Sequence, residues 1–340
     1  MYTKTLSFIM VSLLLLPLLI GANPSSVDSA TLSYANFPPA PTFPCVQMER
    51  WADEVEERTD GELTINTFPG GSLLGAKEMM DGVIQGQADI GCLCMAYQPG
   101  RFKITNALSL PLRIPNALVA SQVLLDLYNK YDPEAFKKVK VLTMFTTAPS
   151  NIMSKKPVRN LDDLQGLDLR ASGGAAQILK EWGANQVGMP MSETPEALQK
   201  GVVQGLFSSL EVMKDFKYAE ICKYITMTKT VVYPFSVVMN KDSWNSLSPD
   251  VQKVMNELCR EQSKWTGNYM DQHVQDSIKW SKEEENVEVI HLSQKQLDKW
   301  NHLLKPITKK WIEKANEQGL PGKEIVTDIK AMSQKYIQDQ

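Results

Sequence analysis

Gly82-Val83-Ile84-Gln85-Gly86-Gln87-Ala88-Asp89-Ile90 reads as the end of a helix, a turn that glycine permits, and the entry to an apolar strand continuing to Ala96. Working back from it, the glycine-rich turn at 70–75 opens that helix. Before the turn, Leu63 and Ile65 alternate with Thr64 and Asn66, the period-two pattern of a strand. Cys45, Met48, Trp51, Ala52 and Val55 recur at helical spacing until Gly61 stops them, and a short strand candidate, Leu32-Ser33-Tyr34-Ala35, precedes a proline-rich turn at 37–44. Strand, helix, strand, helix, strand predicts an α/β unit whose parallel strands are joined by helical crossovers.

Working forward, Gly201-Val202-Val203-Gln204-Gly205 before Leu206 echoes the pentapeptide at 82–86 and predicts a second, related α/β lobe. After Leu247, Ser248 suits an N-cap, Pro249 the first helical position and Asp250 the positive end of the helix dipole. Val251, Met255, Leu258, Trp265, Tyr269, Val274 and Ile278 then recur without an intervening proline. A helix of about 35 residues at 1.5 Å per residue is roughly 50 Å long, longer than either lobe, so it is expected to span both and to bend at Gly267. Two more helices are expected near 293–317 and 322–338.

The 340 residues are enough for two domains, and a net charge of −3 with no basic block argues against nucleic acid as a partner. Residues 1–30 read as a signal peptide: Lys4, an uncharged leucine-rich run at 6–20, then small residues at Gly21-Ala22 and Ser29-Ala30. The other reading of this run is an uncleaved anchor. Export to the periplasm as a secreted protein is expected. Five cysteines leave at least one thiol unpaired, and Cys92 and Cys94 read as packing thiols within a strand. His273, His291 and His302 lack metal-ligand spacing, and no cofactor or metal is expected. There is no nucleophile elbow, phosphate loop, dinucleotide fingerprint or His-Glu-x-x-His, so the chain is not read as an enzyme.

Chemistry concentrates in Leu161-Asp162-Asp163-Leu164-Gln165-Gly166-Leu167-Asp168-Leu169-Arg170-Ala171-Ser172-Gly173-Gly174. Leu167 and Leu169 alternate on a short strand that ends on Arg170 just before a helix. Ligands of open α/β sheets bind beyond the carboxyl ends of strands, and a guanidinium there offers a two-pronged donor to a carboxylate or sulfonate. Position and chemistry alone leave Arg170 open between that role and a surface ion pair.

From residue 31 to about 258 the chain resembles the extracytoplasmic solute receptors of TRAP transporters, the DctP family. Four ordered stretches carry the resemblance. The first runs from Thr59-Asp60-Gly61-Glu62-Leu63 through Phe68-Pro69-Gly70-Gly71-Ser72-Leu73-Leu74-Gly75 to Gly86-Gln87-Ala88-Asp89-Ile90. The second joins Lys156-Pro157 to the segment ending on Arg170. The third joins Pro190-Met191-Ser192-Glu193 to Ala197-Leu198-Gln199-Lys200-Gly201-Val202-Val203-Gln204-Gly205. The fourth joins Val238-Met239-Asn240-Lys241-Asp242-Ser243-Trp244 to Leu247-Ser248-Pro249-Asp250-Val251-Gln252.

The resemblance implies a two-lobed periplasmic binding protein fold of the type II kind, with a hinge and a long domain-spanning helix. Lobe I is expected over 31–147 plus 236–275, and lobe II over 148–235 plus 276–340. It implies that Arg170 binds the carboxylate of a small organic anion, possible sulfonates included, and that the closed receptor docks on the membrane subunits of a TRAP transporter. A working monomer fits that cycle. Where many relatives carry an asparagine after the third stretch, Ser209 is expected to stand. Phe43, Phe207, Tyr233 and Phe235 are candidates to cover the ligand, Cys94 to line the strand end of lobe I, Glu78 to match a common glutamate, and Arg101 to be a second anion contact. A periplasmic enzyme acting on a carboxylate and a sensory receptor on the same scaffold are the alternatives.

Overall fold

The computed structural model describes residues 30–340, so the segment read as a signal peptide lies outside the described residues except for Ala30. Strand β1 (Ala30–Asn36) leads into helix α1 (Phe43–Arg58), whose first turn holds Pro44, where a missing N–H costs nothing. The helix turns Cys45, Met48, Trp51 and Val55 inward, the residues that its periodicity singled out. Next come β2 (Leu63–Phe68), α2 (Met79–Ile84), β3 (Ile90–Cys94), α3 (Ala117–Tyr131) and β4 (Val139–Thr146). The chain then builds β5 (Asn151–Ser154), β6 (Asp168–Arg170), α4 (Gly174–Trp182), β7 (Asn185–Val187), α5 (Thr194–Gln199), β8 (Gly205–Ser208), α6 (Val212–Asp215) and β9 (Tyr224–Met227). It finishes with β10 (Pro234–Asn240), α7 (Lys241–Ser246), α8 (Pro249–Glu283), β11 (Glu288–His291), α9 (Gln294–Glu317) and α10 (Gly322–Gln338).

Among the described residues these strands form two sheets, ordered β2-β1-β3-β10-β4 and β11-β9-β5-β8-β6-β7. The first three strands are parallel, as the strand–helix alternation predicts, but β10 runs against both β3 and β4. The sheet is therefore mixed. The reason is topological: β4 leaves for the second lobe at the edge where β1 and β3 end, and β10 returns at that same edge. Asp89 ties this lobe together, its carboxylate accepting from the Ser33 N–H and hydroxyl at 2.8 Å each and from the Ser243 hydroxyl at 2.6 Å. These bonds hold its pKa below the ordinary aspartate value against the opposing effect of burial.

Two extended crossings lie side by side between the sheets. Thr147 N–H donates to Tyr233 O at 3.0 Å, Tyr233 N–H to Thr147 Oγ1 at 3.0 Å, and Ser150 N–H to Val231 O at 2.7 Å. The third connection is α8, 35 residues long, with Ser248 Oγ accepting the Val251 N–H at its start. It grips the first lobe through Gln262, which donates to Gln47 O at 2.7 Å, and the second through Ser277, which donates to Leu210 O at 2.8 Å. The helix continues through Gly267, and the glycine serves a different purpose from the expected bend. A Cβ there would lie 2.7 Å from Leu118 Cα, so Gly267 lets the start of α3 press against α8.

The two pentapeptide echoes do not play the same part. In the first, Gly82 sits inside α2 and the left-handed turn falls on Gly86 (φ 72°). In the second, the turn falls on Gly201 (φ 74°), and Gly205 already belongs to β8, where a Cβ would meet Met153 O at 2.2 Å. All five cysteines are unpaired, and only Cys259 is not buried.

Candidate functional site

β6 and β8 are parallel neighbours, with Leu169 opposite Gly205 and Arg170 opposite Leu206, so their carboxyl ends open at one edge and carry Arg170 and Ser208. β1 and β3 of the other lobe end facing that edge, which brings Phe37, Cys94 and Tyr97 to it. Between them lies a cleft, also lined by Phe43, Thr147, Met191, Glu211, Asp215, Phe216, Tyr233 and Phe235. Its floor is an aromatic cluster. Phe235 stacks on Phe145 at 5.3 Å and on Phe37 at 6.4 Å, with Phe43 edge-on to Phe235 at 5.6 Å.

Arg170 is 1% exposed. Its Nε and Nη2 both donate to Met189 O, at 3.0 and 2.8 Å, and Nη2 also reaches Tyr97 Oη at 3.4 Å. Nη1 takes no part in these bonds. Among the described residues no carboxylate forms an ion pair with this guanidinium. Burial works against its charge, and the coulombic support that Tyr97, Tyr233, Cys94 and Tyr218 could give it requires their ionised forms. Those neighbours carry no negative charge at physiological pH, because burial pushes the three phenols up and the Cys94 thiol to about 12. The result is a desolvated cation held by neutral groups, an arrangement that costs several kcal/mol until an anion reaches it.

A second polar cluster lines the same cleft. Glu211 is 2% exposed, and its Oε2 has no hydrogen-bond partner in the protein. Burial pushes its carboxyl up to about 7, the nearby Ser209 hydroxyl opposes the rise and Asp215 adds to it. Asp215 accepts from the Phe43 N–H at 3.2 Å and lies 2.6 Å from His273 Nε2, which it holds above the ordinary histidine pKa.

The lobes meet closely across the cleft. Tyr97 Oη, from the first lobe, accepts the Met191 N–H at 3.0 Å in the second. Gly173 has φ +55°, and a Cβ there would come within 3.0 Å of Ala96 Cβ and 3.1 Å of its carbonyl. Only glycine satisfies both the backbone angle and that approach.

Of the residues singled out from sequence, Arg170, Phe43, Phe235, Cys94 and Tyr233 lie together on the cleft. Phe207 does not: it is fully buried with its ring 5.4 Å from Trp182, and only its carbonyl, accepting from Tyr233 Oη at 3.0 Å, connects it to the site. Ser209 is buried outside the lining, with its hydroxyl unpartnered. The cleft hydroxyl belongs to Ser208, because adjacent strand residues face opposite ways. Glu78 is exposed ahead of α2, away from the cleft. Arg101 is engaged by Asp81 at 2.7 Å, also away from it. Sequence reading missed Tyr97, Met191, Ser208, Glu211 and Asp215. A period-two reading from Leu206 along β8 finds Ser208, but no local pattern marks the others.

No group of three or more His, Cys, Asp or Glu side chains among the described residues could hold a metal ion, and no described helix is long and apolar enough to cross a membrane. Two α/β lobes that close on an uncompensated guanidinium, joined by paired crossings and one shared helix, define a two-lobed solute-binding protein. Residues 38–315 match the family described as bacterial extracellular solute-binding protein, family 7 (DctP), and the chain belongs to that family, the extracytoplasmic solute receptors of TRAP transporters. Its relatives include the 2,3-diketo-L-gulonate-binding periplasmic protein YiaO of Escherichia coli K12, 28% identical over 72% of this chain and 76% of that one. A TRAP periplasmic solute-binding protein of Desulfovibrio salexigens, in an open form, is 55% identical with a TM-score of 0.81, covering 90% of this chain and 96% of that one. A marine metagenome TRAP protein specific for aromatic acids, in complex with metahydroxyphenylacetate, is 28% identical with a TM-score of 0.87, covering 91% and 99%. The protein is thus a receptor for small organic acids that works with membrane transporter subunits.

Proposed function

We propose that the receptor captures a carboxylate with an aromatic or similarly flat apolar body, that Arg170 grips its anionic end, and that the body lies against Phe43 and Phe235. The observation that carries this reading is the fully buried guanidinium, with no carboxylate partner among the described residues, at the edge of an aromatic cleft. A highly hydroxylated sugar acid fits such walls poorly, because its hydroxyls would lose water without finding partners. The aromatic-acid specificity of the marine relative supports the same direction.

In this reading the open cleft first admits the anion to Arg170. Lobe I (31–147 plus 236–275) then rotates about the crossings onto lobe II (148–235 plus 276–340), excluding water and strengthening the ion pair. The exported chain acts as a monomer, delivers the ligand unchanged, and is pulled open by the membrane subunits.

Titration calorimetry with benzoate, phenylacetate and 3-hydroxyphenylacetate tests this. Arg170→Ala is expected to lose ~2–5 kcal/mol, roughly 30- to several-thousand-fold in affinity, since one partner of a desolvated pair is removed. Arg170→Lys loses much of it too, because an ammonium cannot make the two-pronged contact. Full affinity in Arg170→Ala ends the clamp reading. Turnover of an added acid ends the receptor-only reading.

A further inference from the structure

We propose that Glu211 is a second recognition site in the cleft, accepting a hydroxyl or amino donor on the ligand body away from the carboxylate. This rests on the Arg170 reading above and sharpens it from an organic acid to one that carries a distal hydrogen-bond donor.

Glu211 and Arg170 line one cleft yet form no ion pair with each other, so neither satisfies the other. Glu211 is buried and its Oε2 makes no hydrogen bond of good geometry; the Ser209 hydroxyl beside it is near enough to lower its pKa but is itself unpartnered. Native proteins rarely leave a buried carboxyl oxygen unmet, and those that do usually have a use for it. Its setting is built: α6 begins immediately after it, and the backbone beside it is pinned by Ser277 of α8, which donates to Leu210 O at 2.8 Å. Asp215 cannot serve the same purpose, because the Phe43 N–H and His273 already occupy its two oxygens.

Charge supports the assignment. Burial raises the Glu211 carboxyl to about 7, so near neutral pH it exchanges between a protonated form and an ionised acceptor. The titratable groups that act on it are Asp215, at the end of the short helix that Glu211 precedes, and His273, from α8. A donor from the ligand favours the ionised acceptor. A second carboxylate on the ligand would be repelled by it, which argues against a dicarboxylate.

Matched acids that differ by one donor provide the test: phenylacetate against 3-hydroxyphenylacetate and against 3-aminophenylacetate, by calorimetry on the full mature protein. The native protein is expected to prefer a donor-bearing member by on the order of 10- to 100-fold. Glu211→Met is expected to erase that preference, bringing the affinity ratio of the donor-bearing acids to phenylacetate close to one. Glu211→Gln guards against misfolding of the first variant: it keeps a neutral acceptor, retains part of the preference and loses its variation between pH 5.5 and 8.5.

Equal binding of all three acids by the native protein, with Arg170→Ala abolishing it, overturns the Glu211 site and leaves the clamp intact. A preference that survives Glu211→Met does the same. Binding of none of the acids overturns the aromatic-acid reading, and this inference with it.

Discussion

The two walls of the cleft are built from opposite materials. The wall on the side of the first sheet presents Phe37, Pro38, Phe43, Pro44, Cys94 and, from β10, Phe235, with Thr42, Tyr97 and, at the crossing, Thr147 as its polar members. The wall on the side of the second sheet presents Arg170, Ser208, Glu211 and Asp215, with Met191, Val212 and Phe216 apolar and Tyr233 at the crossing. The apolar wall is continuous with its lobe's core, since Phe235 stacks on Phe145 within the sheet. The polar wall is the reverse: it holds a buried cation and a buried carboxyl, which burial alone makes costly to the fold. One wall contributes mainly to stability; on the reading proposed above, the other selects the ligand.

That division predicts separable effects. Phe235→Ala opens a void in the aromatic floor and is expected to cost about 3–5 kcal/mol of folding stability. Denaturant unfolding checks it, and a midpoint unchanged from native contradicts a structural role for that wall. Arg170→Ala, by contrast, is expected to leave the unfolding midpoint unchanged or raised, because removing an unpaired buried charge relieves desolvation even as affinity collapses. A large loss of stability in that variant would merge the two roles and break the comparison.

Glu211 offers a sharper version. Its carboxyl sits at about 7 in the fold against an ordinary 4.5, so the folded state holds the proton more tightly than the unfolded chain. Stability is then lost as pH rises between those values, by at most ~3 kcal/mol. Glu211→Gln is expected to recover most of that at pH 8 and to change nothing at pH 4, as read by unfolding at both. His273 works in the same direction: Asp215 raises its pKa, so that pair stabilises the fold below about 6.5 and loses its contribution as pH climbs through the raised value. A residual fall of stability with pH is therefore expected in Glu211→Gln.

The smallest effect belongs to the first wall's polar exception. Tyr97→Phe removes one oxygen that touches both Met191 and Arg170 across the cleft, and calorimetry is expected to show affinity weakened by about 1 kcal/mol, roughly fivefold. No change would mean that the phenol does not help hold the lobes closed.

Local pattern determined a good deal of this molecule. Periodicity placed α1 and the long α8, the Ser248-Pro249 signal set where α8 starts, and the position of Arg170 at a strand end before a helix was legible. Each of these depends on neighbours within a few residues, which is the range over which capping and side-chain spacing act.

Tertiary structure alone decided the rest. β10 runs antiparallel because the chain returns from the other lobe, Gly267 admits α3 rather than bending a helix, and Ser208 faces the cleft while Ser209 does not. Tyr97 and Glu211 became site residues only when segments more than a hundred positions apart were folded against one another. Burial, orientation and the absence of a partner are properties of that packing. They turn an ordinary arginine into a buried cation with no carboxylate partner among the described residues, and an ordinary glutamate into a carboxyl that keeps its proton up to about pH 7, on one cleft.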